Sequence, residues 1–356
     1  EGNEIMAKTV RDAREVAIID FEPALHGGPD DLKRVAGEVV SACEDIGFLY
    51  IVNHPIPGEL RRRVFEETAN FFALPEEQKM QVSMERSVNY RGYIPLNVVP
   101  KVENRRGAGV DGFQTHLNDE VGPDGQPVTL APDAVESFQL HRELALDDPD
   151  VVAGKPLHGP NQWPNGLPVM RDTMLEYFEA MSSFAKRMHA VFAVGLDLDP
   201  NFFERYYRKS LMQVRLLHYP AQVPSENAPV GVRPHSDAGA LTLLMQDEVG
   251  GLEVRNKQGE WTLVPPIDDS YVVNIGDTMK LWTNNRFQST QHRVINTYGT
   301  GRYSVPFFAN PDYDAVIKPI PTCVDDNHPP VFDSLHCGES MLHTYSRIWP
   351  SAPVAA

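Results

Sequence analysis

The sequence predicts an α+β protein with a mainly β core, flanked by helices in its N-terminal and central parts. Three observations predict it. Apolar residues recur at three- and four-residue spacing through much of the first half. Strand-like runs come at short intervals through the second half. Tight-turn residues, rather than long linkers, separate those runs.

Taken in order, residues 16–21 read as a short strand, and Pro29-Asp30-Asp31 reads as a helix start. Leu32, Val35, Ala36, Val39, Val40, Cys43 and Ile46 mark one face of that helix, and Gly47 stops it. A buried strand follows at 48–52. Leu60, Val64, Phe65, Thr68, Phe71 and Phe72 mark a second helix, and 74–79 start a short third one with Pro75 near its first turn. Residues 97–168 are rich in Pro, Gly, Asp and Asn and read as long connections with isolated strands, of the kind that cover an active site.

The longest helix is expected at 169–194, with Met170, Met174, Tyr177, Met181, Phe184, Met188, Val191 and Phe192 on its buried stripe. Asp199-Pro200 is expected to start one more short helix. Strands are then expected at 211–219, 240–246, 252–254, 261–264, 271–275, 293–296 and 302–308. Gly250-Gly251, Gln258-Gly259, Asp268-Asp269 and Tyr298-Gly299 turn the chain between them, as a sandwich or barrel requires. The expected division is a helical and mixed region at 1–165, central helices at 166–210, a β core at 211–320 and a C-terminal segment near the active-site mouth at 321–356.

Composition bounds the function. The 356 residues are 42% hydrophobic, enough for a large core. A net charge of -17 repels nucleic-acid phosphates and anionic membrane surfaces, so neither is expected as a partner; a small-molecule substrate is. No apolar run is long enough to span a bilayer, and residues 1–16 contain no signal-peptide core. Three cysteines with no paired spacing (Cys43, Cys323 and Cys337) argue against a disulfide framework, a cysteine-rich zinc site or an iron–sulfur cluster. They are read as structural, and the expected location is cytoplasmic.

Two histidines and a carboxylate on one face suit Fe(II) and leave positions open for further ligands. His235-Ser236-Asp237 supplies a pair whose side chains point the same way in extended chain. The triplet alone is weak, because His141-Arg142-Glu143 has the same pattern and twelve histidines produce one or two by chance. Three additions strengthen it. His292 lies 55 residues after Asp237, at the start of a strand. Ten residues further on, Arg302 and Ser304 share a strand face and can jointly hold a carboxylate. The intervening chain is strands and tight turns, as a jelly-roll barrel needs.

This combination resembles the plant-type, isopenicillin N synthase-like Fe(II)/2-oxoglutarate-dependent dioxygenases, a superfamily that includes thymine 7-hydroxylase, anthocyanidin synthase and the bacterial ethylene-forming enzyme. The segments at 46–54, 71–75, 89–93, 158–164, 217–220 and 250–252 resemble the family too, so the likeness runs from about residue 16 to 349. It implies a double-stranded β-helix, or jelly roll, with flanking helices. It implies that His235, Asp237 and His292 bind Fe(II), and that 2-oxoglutarate chelates the metal. Arg302 and Ser304 would hold the distal carboxylate of 2-oxoglutarate, helped by the Tyr219 hydroxyl. With O₂, oxidative decarboxylation to succinate and CO₂ would be coupled to hydroxylation, desaturation or cyclisation of a small molecule.

The resemblance also bears on Arg215, four residues before Tyr219 on the same strand face. An arginine at the matching place lies in the active site of thymine 7-hydroxylase and the ethylene-forming enzyme. Arg215 thus has two readings, a cofactor- or substrate-binding cation or a peripheral salt bridge. Phe308 is a pocket-lining aromatic or ordinary core. Arg91 and Tyr93 reach the pocket mouth, or else sit as surface groups on a turn centred at Gly92. His54 and His218 are expected to be structural. Pocket walls are expected from 88–97, 110–116 and 335–345. Two rivals remain at this level: an oxidase that shares the triad without using 2-oxoglutarate, and a non-catalytic jelly-roll binding protein with a structural metal. The substrate is not legible.

Overall fold

A computed structural model describes residues 16–96, 133–222, 230–295 and 299–349. The stretch at 110–116 named above for the pocket lies outside them.

The first helix of the expected pattern, Pro29–Asp45, begins with proline at its first position and two acidic residues in its first turn, both favourable at the positive end of a helix. Val35, Ala36, Val39, Val40 and Cys43 form its buried face. Gly47 ends it at φ +72°, where a Cβ would stand 1.9 Å from the Gln288 carbonyl oxygen. Only glycine tolerates both demands. The chain then enters the buried strand Phe48–Val52. Helices Gly58–Phe72, Glu76–Met80 and Met170–Gly195 occupy the places the periodicity predicts.

Several elements differ from expectation, among them the short helices Glu22–His26 and Pro149–Val152 and the strand Val232–His235. The region after Asp199 forms turns and a 3-10 turn at Glu204–Tyr206 rather than an α-helix. Helices Asp277–Trp282 and Cys337–Ile348 were not anticipated. The first is shorter than two turns, too brief for a helical period to show.

Fourteen strands are present among the described residues. In chain order the ones used below are β1 (Ala17–Asp20), β2 (Phe48–Val52), β3 (Gly92–Ile94), β4 (Glu136–His141), β5 (Gln213–Tyr219), β6 (Val232–His235), β7 (Leu241–Gln246), β8 (Leu252–Arg255), β9 (Trp261–Leu263), β10 (Ser270–Ile275), β11 (His292–Val294) and β12 (Arg302–Phe308). Eight of them make a large sheet in the order β1-β2-β10-β7-β12-β5-β4-β3, and β6-β11-β8-β9 make a smaller one. All pairs are antiparallel except β1 with β2.

Alternation along the strands gives the large sheet two different faces. Leu241, Leu243, Met245, Val273, Val305 and Phe307 belong to the main core shared with the long helices. Phe48, Tyr50, Leu217, Tyr219 and Val272 belong instead to a second cluster with Leu252, Val254 and Val294 of the smaller sheet. This is the jelly-roll arrangement, two sheets closing on a lumen, with helices covering the outside of one of them. The lumen face carries polar groups: Gln139 and His141 on β4, Gln213 and Arg215 on β5, Thr242 and Gln246 on β7, Asn274 on β10, and Arg302 and Ser304 on β12. A row of polar side chains inside a barrel is costly unless they serve one another or a ligand.

Candidate active site

His235 ends β6 and His292 begins β11, and the two are direct partners in antiparallel register. Asp237 follows two residues after His235. The sequence analysis expects His235 and Asp237 on one stretch of extended chain. In fact β6 stops at His235 and Asp237 sits in the turn before β7.

That turn is clamped from behind. The Asp237 carbonyl accepts from the Asp277 N–H at 2.7 Å, Ala240 accepts from Gly276, and the Thr278 hydroxyl donates to the Ala238 carbonyl. A Cβ on Gly276 would lie 2.1 Å from the Gly239 carbonyl oxygen, so glycine permits this approach.

The three side chains converge. His235 Nε2 lies 3.7 Å and His292 Nε2 3.8 Å from Asp237 Oδ1. All three ligand atoms fall within 4.8 Å of one another, the one such cluster among the described residues. The other triplet does not converge: His141 meets Gln139 through Nε2, while Glu143 accepts from the Asn161 N–H.

Both imidazoles are oriented by backbone. His235 Nδ1 lies 2.8 Å from the Arg233 carbonyl oxygen and His292 Nδ1 3.2 Å from that of Thr290. A carbonyl only accepts, so each Nδ1 carries the proton and each Nε2 presents a lone pair, the form that binds a metal. Burial, with repulsion from His235, holds the His292 pKa down to about 4 against the pull of Asp237, so its ring is neutral at ordinary pH.

Asp237 Oδ2 accepts from the Thr242 hydroxyl at 2.6 Å and the Asn274 amide at 2.7 Å, which turns Oδ1 toward the histidines. Burial alone would raise the Asp237 pKa. His292, His235 and these two hydrogen bonds outweigh it and hold the carboxyl below its ordinary value. Two imidazole nitrogens and a carboxylate oxygen, open on one side, fit a divalent iron with room for further ligands.

Arg302 and Ser304 share the lumen face of β12, and Arg302 pairs with Tyr219 of β5. The guanidinium lies 4.7 Å from the Tyr219 ring centre and donates to Ser304 Oγ at 3.1 Å and Gln246 Oε1 at 3.3 Å. Arg302 is wholly buried, its Nε has no partner, and no carboxylate lies within ion-pair distance of it among the described residues.

Comparison with known proteins agrees. Residues 209–311 match the profile of the 2OG-Fe(II) oxygenase superfamily, and residues 16–166 match that of the non-haem dioxygenase in morphine synthesis N-terminal region. A Neurospora crassa protein, solved at full length in complex with alpha-KG and thymine, superposes with a TM-score of 0.76 at 29% identity, covering 93% of this chain and 96% of that one. The 2-oxoglutarate-dependent dioxygenase citB of Monascus ruber is 34% identical, covering 85% of this chain and 86% of its own. The 2-oxoglutarate-Fe(II) type oxidoreductase hxnY of Emericella nidulans is 34% identical over 341 residues, 94% of this chain and 90% of its own. The chain belongs to the 2OG-Fe(II) oxygenase superfamily.

As a member of that superfamily, the protein is an Fe(II)- and 2-oxoglutarate-dependent dioxygenase. It couples oxidative decarboxylation of 2-oxoglutarate, to succinate and CO₂, with O₂-dependent oxidation of a small molecule. No helix among the described residues is long and apolar enough to cross a membrane.

Against this oxygenase framework the other expectations divide. Arg215 faces the lumen, donates to Ser137 Oγ at 3.2 Å, and lies 4.5 Å from the Trp349 ring centre. Phe308 also faces the lumen, paired with Thr242 on one side and Gln213 on the other.

Arg91 and Tyr93 require correction. Tyr93 pairs with Phe138 on the helix-covered face of the sheet, packs on Phe71, and donates to Glu136 at 2.6 Å. A side chain on that face cannot reach the lumen. Arg91 is buried, its two terminal nitrogens bonded to the carbonyls of Arg142 and Leu157 and to Asn161 Oδ1, with only Nε left without a partner. Neither is a surface group of the Gly92 turn, because both are only 1% exposed.

Sequence reasoning missed Thr242, Asn274 and Gln246, which support Asp237 and Arg302, and Trp349 at the end of the C-terminal helix. The alternation that placed Arg302 and Ser304 on one face could have found Thr242 and Gln246, both on the lumen face of β7.

Proposed function

We propose that His235, Asp237 and His292 hold Fe(II), and that Arg302 and Ser304 grip the distal carboxylate of 2-oxoglutarate beside the Tyr219 ring. The observation that carries this reading is the wholly buried Arg302 with no carboxylate partner among the described residues. Asp247 feels the Arg302 charge without forming an ion pair with it; burying a guanidinium with no direct partner is costly, and a bound dicarboxylate supplies one. Because Ser304 Oγ already accepts from Arg302, its own proton is free to donate to the same carboxylate.

When bound, iron supplies the centre at which 2-oxoglutarate and O₂ react. The chain's own residues preset the rest. Asn274 and Thr242 hold Asp237 in a one-oxygen presentation, and the carbonyls of Arg233 and Thr290 hold both histidines in their metal-binding tautomer. Arg302 fixes the far end of the cosubstrate, which limits how its keto-acid end meets the triad.

Arg215 serves as a second binding cation of the lumen rather than as a peripheral ion pair; no carboxylate lies within ion-pair distance of it among the described residues. Phe308 lines the substrate space. The substrate is a small organic molecule, in keeping with the Neurospora crassa relative, whose solved complexes hold thymine and 5-formyluracil. The location we infer is cytoplasmic, since Cys43, Cys323 and Cys337 are all unpaired thiols.

Arg302→Leu tests the reading. Anaerobic calorimetry is expected to show 2-oxoglutarate binding weakened about a hundredfold, the worth of a lost charge-assisted pair, with Fe(II) stoichiometry unchanged. Unaltered 2-oxoglutarate dependence in that variant would refute the assignment.

A further inference from the structure

Antiparallel partners share a face, so the pairs Asn274–Thr242, Thr242–Phe308, Phe308–Gln213 and Gln213–His141 form one row across five strands of the lumen. The row starts at the two residues that hold Asp237. Phe308 stands one strand from Thr242 and Gln213 two, or about 10 Å at ordinary strand spacing.

Gln213 is held from above. The buried Tyr345, on the C-terminal helix Cys337–Ile348, donates its hydroxyl proton to Gln213 Oε1. That contact occupies the acceptor end of the carboxamide. The Nε2 donors are left with no partner among the described residues. The next residue in the row, His141, is engaged by Gln139 instead. Around Gln213 the walls are aromatic: Phe308 beside it, Tyr345 over it, and Trp349 stacked on Arg215, which lies two residues along the same face of β5.

We infer that Gln213 is a specificity-determining residue whose amide, oriented by Tyr345, donates a hydrogen bond to a carbonyl or carboxylate oxygen on a planar substrate lying against Phe308. The inference rests on the metal-centre reading above, which sets the end of the row where oxidation occurs. Gln213 is buried, and a fixed donor on a buried lumen wall discriminates strongly, because a ligand without an acceptor leaves that donor unpaired. Flat rings suit the aromatic walls at little cost in conformational entropy.

The test uses full-length protein loaded anaerobically with Fe(II) and 2-oxoglutarate, titrated by calorimetry with acetophenone, benzoate and ethylbenzene. Wild type is expected to bind the two oxygen-bearing rings at least about tenfold more tightly than ethylbenzene, the worth of one such bond. Gln213→Leu should erase that preference for acetophenone, the neutral probe. Tyr345→Phe, which removes only the orienting hydroxyl, should reduce it. Gln213→Glu keeps an acceptor for Tyr345 but replaces the donors, and should turn benzoate from favoured to disfavoured.

Melting midpoint and 2-oxoglutarate affinity control for folding in every variant; a merely structural role for Tyr345 would move the midpoint and leave the preference ratio alone. The proposal is overturned if wild type shows no preference for the oxygen-bearing probes, or if the Gln213 variants keep it. Wild-type protein that fails to bind 2-oxoglutarate overturns the metal-centre reading as well, and that result is visible before any ring is added.

Discussion

His235 and His292 stand opposite each other across the β6–β11 pair, with ring centres 4.2 Å apart and planes inclined by 52°. Neighbouring strands therefore bring together two residues far apart in the chain, and the sheet supplies their separation before any ligand binds. Phe48 packs edge-on against the His292 ring at 5.4 Å and limits its rotation.

The Asp237 supports should matter to metal binding in proportion to the order they impose. Asn274→Ala or Thr242→Val removes one of the two bonds that hold Oδ2 and loosens the carboxylate's orientation toward the histidines. Each is expected to weaken Fe(II) about 10- to 100-fold with the fold intact. A competition titration against a metal-binding dye measures it, with circular dichroism as the fold control.

Ser304→Ala should weaken 2-oxoglutarate roughly tenfold, one hydrogen bond's worth, and far less than Arg302→Leu does. Gln246→Leu removes the acceptor that steadies the other guanidinium nitrogen and should have a similar, smaller effect. Calorimetric dissociation constants should rise most for Arg302→Leu, less for Ser304→Ala and least for Gln246→Leu. Equal effects for all three would mean that the guanidinium is not the main grip.

Acid sensitivity should be traceable in part to His189 on the long helix. Both of its ring nitrogens lack partners, its ring lies 4.0 Å from that of Tyr207, and burial pushes its pKa down to about 3. The unfolded chain takes up a proton near pH 6.5, and the folded one only near pH 3. Between these values the unfolded state binds more protons. Stability is therefore complete above about pH 6.5 and falls as the pH drops toward 3. His189→Phe should shrink the loss of unfolding free energy between pH 7 and pH 4 by up to roughly 3 kcal/mol. Urea titrations at the two pH values measure it.

Behind Arg302, on the opposite face of the sheet, Lys79 Nζ meets Glu136 Oε2 at 2.7 Å, and Glu136 also takes bonds from Tyr93 and His218. Burial would raise the Glu136 pKa, and its partners His218, Lys79 and Tyr93 hold it low instead. Lys79→Met leaves that carboxylate short of a cation and should destabilise the fold by about 3 kcal/mol. Adding Glu136→Gln should recover part of the loss. A double-mutant cycle in urea separates the pair's coupling from the two individual costs.

The helices were legible because a period of three to four residues is written locally; Pro29–Asp45 and Met170–Gly195 fall where their apolar stripes predict. Helix Asp277–Trp282 was not, since under two turns leave no period to read. Of two identical His-x-acid patterns, only the one at 235–237 became a cluster. What separated them in sequence was the company of His292, Arg302 and Ser304 at spacings that strands can span.

By itself the sequence determined the layout of helices before strands and named His235, Asp237, His292 and the Arg302-x-Ser304 pair as candidates, because these depend on residue type and spacing. Tertiary structure alone decided the partners that lie across the sheet. Thr242 and Asn274 at Asp237, Gln246 at Arg302, Tyr345 at Gln213, and the turning of Tyr93 away from the lumen all follow from register. Register is set by how whole strands bury their apolar faces, so a single residue's neighbours across the sheet are not encoded near it in the chain.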